Sequence, residues 1–164
     1  MDNSNTAEIR IRQAKLYDVP AMARIERESF EDYWSPDELT KDVTCSDGSI
    51  YVAVAESGGE KAGYADMRIV AGEAQIYNIA IAPEFRRQGI GEALLRHMVD
   101  KSEELGLDVI TLEVRSGNEA AMALYEKMGF KAVGSRKGYY AKGKEDAVLM
   151  DKELGQIEVS VRTE

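Results

Sequence analysis

Cysteine is almost missing from this chain. The single residue, Cys45, can form no internal disulfide and cannot build a thiolate metal cluster. It lies beside the turn Ser46-Asp47-Gly48 with no histidine nearby, which argues against a thiol nucleophile. Histidine is equally scarce: His97 accompanies the apolar residues Leu94 and Met98, with no second ligand at metal-binding spacing, so no metal is expected. Three prolines and no low-complexity stretch leave no candidate linker. No apolar run approaches the ~20 residues that span a bilayer. The segment Met1 to Ile11 lacks the apolar centre of a secretory signal, so a cytoplasmic, reducing setting is expected. Positive charge is also short. Lys and Arg number 21 against 30 Asp and Glu, a net charge of −9, which excludes a general nucleic-acid or anionic-membrane binder.

What remains is an ordinary globular composition: 164 residues, 44% hydrophobic and 31% charged. It predicts one domain over 1–164, with a core at about 8–154 and polar tails at 1–7 and 155–164. The alternation Ile157, Val159, Val161 leaves the last tail open to a second reading, as an extra edge strand.

Periodicity supplies the elements. Ile9 and Ile11 alternate with arginines as a short strand. Asp18-Val19-Pro20 and Ser35-Pro36-Asp37-Glu38 read as helix starts, the second with a capping box. Three strands follow over 50–55, 62–70 and 74–82, with turns at Ser57 to Glu60 and Ala71-Gly72. A helix over 89–105, a strand over 109–114, a helix over 118–128 and strands over 130–133 and 147–150 complete the chain. Gly129 fits the C′ position of the last helix. The order β-α-α-β-β-β-α-β-α-β-β is that of an α/β fold with a mixed sheet.

The most informative stretch is Ile79-Ala80-Ile81-Ala82-Pro83-Glu84-Phe85-Arg86-Arg87-Gln88-Gly89-Ile90-Gly91. A buried strand ends, a short loop follows, and a long helix begins. The first helical turn offers unpartnered N–H groups and the positive end of a dipole, and glycine lets a phosphate approach the backbone. Two arginines add a local positive island, so the loop suits a pyrophosphate. The spacing matches neither G-x-x-x-x-G-K-[ST] nor G-x-G-x-x-G. A helix start that uses glycine only for packing is the plainer alternative.

The string R-x-x-G-x-G at Arg86 to Gly91, after a strand ending in Ala82-Pro83, resembles motif A of the GCN5-related N-acetyltransferases. Ile25-Glu26, Phe30 through Trp34-Ser35, Leu112-Glu113-Val114-Arg115, Asn118, Ala123-Leu124-Tyr125, Gly129-Phe130, Tyr139-Tyr140 and Glu145-Asp146-Ala147 follow in the order of the RimI-like branch, the protein N-terminal acetyltransferases. The resemblance covers roughly 8–154. It implies a GNAT-like mixed, splayed sheet of about seven strands flanked by about four helices, with acetyl-CoA as cosubstrate and no metal. It assigns donor binding to Ile79, Ala80, Ile81, Arg87, Gln88, Gly89, Ile90, Gly91, Glu92 and Asn118. Asn118 has a competing local role, in a capping box over Ser116-Gly117-Asn118-Glu119.

The acceptor side is a matter of protons. A free α-amine has a pKa of ~7.7–8.0, against ~10.4 for lysine, so it is far easier to use in its neutral form. A base must take the amine proton, and the departing thiolate needs a donor. Glu113, among apolar strand neighbours, is the candidate base; its plainer alternative is a solvated carboxylate paired with an arginine. Tyr125 lies on an apolar helical stripe and reads as core from spacing alone; the resemblance makes it the general acid. The resemblance also makes Trp34, Tyr139 and Tyr140 walls of a peptide slot. The implied activity is acetyl transfer to the N-terminal α-amine of a protein, a ribosomal protein or another nascent chain. Alternatives are lysine or small-molecule amine acceptors and, from another class, a non-catalytic CoA-binding module.

Overall fold

Short strands in the first half and strand–helix alternation in the second produce the expected element order in the computed structural model, which describes residues 7–140 and 143–155. The strands are β1 (Ile9–Gln13), β2 (Ile50–Ser57), β3 (Glu60–Val70), β4 (Glu73–Ile81), β5 (Val109–Arg115), β6 (Lys131–Tyr140) and β7 (Glu145–Glu153). The helices are α1 (Val19–Ser29), α2 (Pro36–Val43), α3 (Ile90–Glu104) and α4 (Glu119–Lys127). The β3–β4 hairpin turns on Ala71 (φ 52°) and Gly72 (φ 79°), the paired left-handed residues that a two-residue turn matching strand twist requires. The capping box at α2 forms as read: Ser35 Oγ accepts from the Glu38 N–H at 3.2 Å, and Glu38 accepts from the Ser35 N–H at 2.7 Å.

Three local readings need correction. Asp18 precedes α1 but makes no side-chain cap to it. Its carboxylate is wholly buried and accepts from Arg12 (2.8 and 2.9 Å) and the Lys15 N–H (2.7 Å), with Lys61 at 3.0 Å. Burial raises its pKa, but these donors outweigh burial and hold it down to about 2. At α4, Asn118 itself is the cap, its Oδ1 accepting from the Ala121 N–H at 3.1 Å, because Gly117 and Ser116 remain outside the helix. Strand β6 continues seven residues past the expected Val133 end, to Tyr140. Its side chains are largely exposed, so no buried alternation marks it; pairing with β7 makes it a strand. Residues Ile157 to Val161, read as a possible edge strand, lie outside the described residues.

The seven strands form one mixed sheet in the order β1-β2-β3-β4-β5-β7-β6. Every neighbour pair is antiparallel except β4–β5. That parallel ladder runs only from Glu73 to Gln75 against Val109 to Thr111, and beyond it β4 stays with β3 while β5 stays with β7. The sheet therefore splays at its centre. Just there β4 carries a bulge: Asp66 faces Asn78 but Met67 faces Ile76, so Tyr77 is the extra residue.

Each face has its own core. Leu94, Leu95 and Met98 of α3 pack with Ile110, Leu112 and Met150 on one face. Met22 and Ile25 of α1 and Leu39 of α2 pack with Val52, Val54 and Tyr64 on the other. A fully buried side chain of this size contributes about 1.5–3 kcal/mol. His97 is structural, its Nε2 2.8 Å from the Tyr51 hydroxyl with the two rings stacked. Among the described residues, no helix is long and apolar enough to cross a membrane.

Candidate active site

The splay brings two cavities to opposite faces of the sheet. On the α3 side a cavity of about 420 Å³ is lined by Ile81, Phe85, Arg87, Gly89, Gly91 and Leu124, among others. Arg87 (φ 64°) and Gly89 (φ 80°) both adopt the left-handed conformation. For an arginine this costs of order 1–2 kcal/mol, strain of the kind that concentrates at ligand clamps. The first backbone bond at the start of α3 runs from Ala93 N–H to Gly89 C=O at 3.1 Å, so the N–H groups of Ile90, Gly91 and Glu92 precede the helical ladder. A Cβ on Gly89 would meet nothing within 4 Å, and one on Gly91 only Ile81 Cγ1 at 4.0 Å. This open concavity with convergent N–H groups fits the pyrophosphate of acetyl-CoA.

The residues expected to bind the donor divide by how they can act. Ile79, Ala80 and Ile81 pair with β3 on one edge and leave the other edge open where β5 departs. Ile90 buries its side chain, so it offers backbone only. The Glu92 carboxylate turns to Arg96 and Lys127, each at 3.3 Å, and Gln88 Nε2 turns to the Glu84 carbonyl at 3.4 Å. Arg86 bends back to the Ile81 carbonyl (3.3 Å) and Ser29 Oγ (3.4 Å), and it lines the cavity together with Arg87. Asn118 spends its Oδ1 on the α4 cap and keeps its amide NH₂ for a ligand.

On the opposite face, which no helix covers beyond β4, a cavity of about 650 Å³ is lined by Tyr77, Glu113, Arg136, Tyr139 and Tyr140, among others. Strand alternation puts Glu113 here, because Leu112 and Val114 point into the α3-side core. Glu113 is half-buried and lies 3.4 Å from Arg136 Nη2, so the arginine partner and the cavity position occur together. Tyr125 lies on the α4 side against Phe130, rings 6.1 Å apart, and burial raises its phenol pKa. It therefore stays protonated, as a proton donor must. Glu113 thus faces the cavity beside the splay, and Tyr125 packs against the α3-side core. Tyr139 and Tyr140 meet edge to face at 5.0 Å, steadied by the guanidinium groups of Arg136 (5.5 Å) and Arg115 (4.6 Å). The Tyr140 phenol is also pushed up, first by burial and then by Glu113. Trp34 does not join them: it lines no part of this cavity and packs against the core beneath α1 and α2.

The family model described as "Acetyltransferase (GNAT) family" matches residues 19–130, more than half of the chain. The chain belongs to the GNAT acetyltransferase family. It is 38% identical over 143 residues to the [ribosomal protein bS18]-alanine N-acetyltransferase of Escherichia coli K12, covering 85% of this chain and 94% of that one. It is 33% identical over 158 residues to the N-alpha-acetyltransferase RimI of Mycobacterium tuberculosis, covering 93% and 97%. The crystal structure of the ribosomal-protein-S18-alanine N-acetyltransferase from Escherichia coli superposes with a TM-score of 0.84 at 32% identity, over 95% of this chain and all of that one. The fold alone is shared with a Thermoplasma acidophilum acetyltransferase solved with coenzyme A, at TM-score 0.74 and 21% identity over 89% of this chain and 99% of that one.

Within this GNAT domain, motif reading assigned no role to several residues. Tyr77, the extra residue of the bulge, lines the cavity together with Gln75. Glu26, quoted above only as part of a resembling string, is 1% exposed and accepts from the Tyr64 hydroxyl, Asn78 Nδ2 and the Trp34 N–H (3.1 Å). Its signal was available: it stands four residues after Met22 on the buried stripe of α1, where a carboxylate needs partners. Asp66 is buried with neither oxygen hydrogen-bonded and Arg68 Nε 3.6 Å away; burial and the neighbouring Asp42 push its pKa up to about 9.

Proposed function

We propose that this chain transfers the acetyl group of acetyl-CoA to the N-terminal α-amino group of a protein, a ribosomal protein or another nascent chain in the cytoplasm. The supporting observation is the placement of Glu113 in the cavity walled by Tyr139 and Tyr140, across the splayed sheet from the cradle at Arg87–Glu92. The named activities of the relatives point the same way.

Acetyl-CoA supplies the acetyl group as a thioester. Backbone N–H groups at Ile90, Gly91 and Glu92 hold its pyrophosphate, and the open edge of Ile79–Ile81 aligns the arm that ends in the thioester. Glu113 receives the proton of the amine, directly or through a water, as the amine attacks. Tyr125 returns a proton to the departing sulfur. An unpaired N–H on the open edge of β4 polarises the acetyl carbonyl. Direct transfer suits this layout, because two faces of one cleft admit both substrates together.

The deciding experiment is mass spectrometry of a peptide library incubated with the protein and acetyl-CoA, scoring residue one, residue two and internal lysines. The expected product carries one acetyl group on the α-nitrogen of peptides with free N-termini. Acetylation of N-terminally blocked peptides at lysine with equal efficiency overturns the reading.

A further inference from the structure

We infer that Glu26 is a positioning residue for the acceptor: its carboxylate ties the loop that carries Trp34 to the bulge of β4 that sets Tyr77 in the acceptor cavity. The inference rests on the proposed function and adds a residue that neither flanks the splay nor lines the cavity.

The geometry is that of a three-way tie. Glu26 Oε2 accepts from the Trp34 N–H at 3.1 Å, in the loop that joins α1 to α2. Oε1 accepts from the Tyr64 hydroxyl on β3 and from Asn78 Nδ2 on β4. The tie closes on itself, because Asn78 Nδ2 also lies 2.8 Å from the Tyr64 hydroxyl. Asn78 directly follows Tyr77, the bulged residue that lines the cavity. One buried carboxylate thus joins four pieces of chain: α1, the loop, β3 and the strand that borders the splay.

A carboxylate suits this place better than an apolar residue of similar size would. It is acceptor-only, with lone pairs for several donors, and each of the three partners presents a donor. The Tyr64 phenol has its pKa raised, first by burial and then by Glu26, so it remains a donor. A purely apolar packing of α1 on the sheet would leave the Trp34 amide unpaired and the loop held by side-chain contact alone. The loop itself is otherwise lightly anchored, since Phe30 and Tyr33 are 39% and 51% exposed. On the strand side, a bulge lacks part of the ladder bonding that fixes an ordinary strand, so a side-chain tie at the next residue sets where the extra residue points. The second consequence falls on the acceptor half, through Tyr77, which lines the cavity, and the first reports whether the tie is intact. The cradle at Arg87–Glu92 shares no hydrogen bond with this tie.

The test uses Glu26→Gln, which keeps the shape but replaces one acceptor with a donor. Steady-state kinetics with acetyl-CoA and a model peptide that has a free N-terminus read the acceptor and donor constants separately, and Trp34, the sole tryptophan, reports the loop by its emission. Loss of one buried hydrogen bond to a charged group predicts a rise of about tenfold in peptide KM, with kcat and acetyl-CoA KM changed less than about threefold. Trp34 emission shifts to the red and becomes more accessible to acrylamide. A lower Tm with unchanged peptide KM and unchanged emission means that Glu26 only holds the fold, and overturns the inference. An equal rise in both substrate constants does so as well. Should Glu26→Gln fail to fold, Tyr64→Phe carries the test. It removes one donor to Oε1 and leaves the Trp34 bond, so a smaller rise in peptide KM and a smaller red shift are expected, and no change in either overturns the inference. Absence of product with any peptide from the unaltered protein counts against the function proposed above, and peptide binding by calorimetry then decides the positioning role, about tenfold weaker in Glu26→Gln if it holds and unchanged if it does not.

Discussion

The donor half of the cleft is made mostly of backbone, and the acceptor half mostly of side chains. Along Arg87 to Glu92 the useful groups are N–H donors, set by two left-handed residues and a helix start within one short stretch of sequence. Across the sheet, Glu113, Arg136, Tyr139, Tyr140 and Tyr77 come from three strands, and each depends on register or a bulge to reach the cavity. A backbone cradle tolerates many side chains but few changes of conformation. A wall of side chains is the reverse, so it can alter its acceptor without disturbing the donor.

That contrast can be broken most sharply at Glu113. Glu113→Gln is expected to lower kcat about 10²-fold or more while acetyl-CoA affinity stays the same by calorimetry. A parallel loss of acetyl-CoA binding would show that the halves are not separable. Next comes Gly89→Val, which places a branched side chain at φ 80°, where the left-handed penalty is at least 1–2 kcal/mol. Its acetyl-CoA KM should rise about tenfold, with peptide KM near its original value. A change confined to peptide KM would place the cradle on the wrong side. Tyr139→Ala, at an exposed ring of the acceptor wall, should raise peptide KM severalfold and leave the donor constant alone in the same assay.

The smallest effect concerns stability. Asp66 sits behind the bulge with its pKa pushed up to about 9, above its ordinary value of ~3.9. The folded state therefore holds a proton that the unfolded chain releases first. The stability this group contributes is fully present below about pH 4 and is lost as pH rises toward 9. Asp66→Asn should flatten that decline, with a gain on the order of 1 kcal/mol at pH 9 in urea unfolding. An unchanged decline in the variant would mean that Asp66 is ionised in the fold. Asp18, held down to about 2 by Arg12, Lys15 and Lys61, acts in the opposite sense: its contribution is present above about pH 4 and fades as pH falls toward 2.

The same contrast explains what could be read from the sequence. The element order, the hairpin turn at Ala71-Gly72, the α2 capping box and the start of α3 at Gly89 follow from residues close together in the chain, and all appear where expected. Glu113 could be placed on its strand because its neighbours alternate with it. The change of face along β4 could not be placed, with Ala74 and Ile76 packing on the α3 side and Ala80 on the other, since a bulge arises from how two strands disagree in register and leaves no mark in either one alone. Strand β6 past Val133 was hidden for a related reason: its exposed, polar residues become a strand only through β7. Trp34 shows the limit of resemblance. The string that carries it was recognisable, but its ring packs inward and its backbone, not its side chain, makes the contact with Glu26.

Three register pairs, Glu73–Val109, Ala74–Ile110 and Gln75–Thr111, make the whole described ladder between the first four strands and the last three, with one more backbone bond from Asp108 N–H to the Gly72 carbonyl at 2.8 Å. The sheet is in effect two panels with a short hinge seam, bridged on one side by α3. A bound arm lying along the open edge of β4 would act as mortar in that seam. Turnover would then alternately stiffen and loosen the whole molecule, and the amides of Ile79 to Ile81 should exchange with solvent in step with the filling and emptying of the cleft.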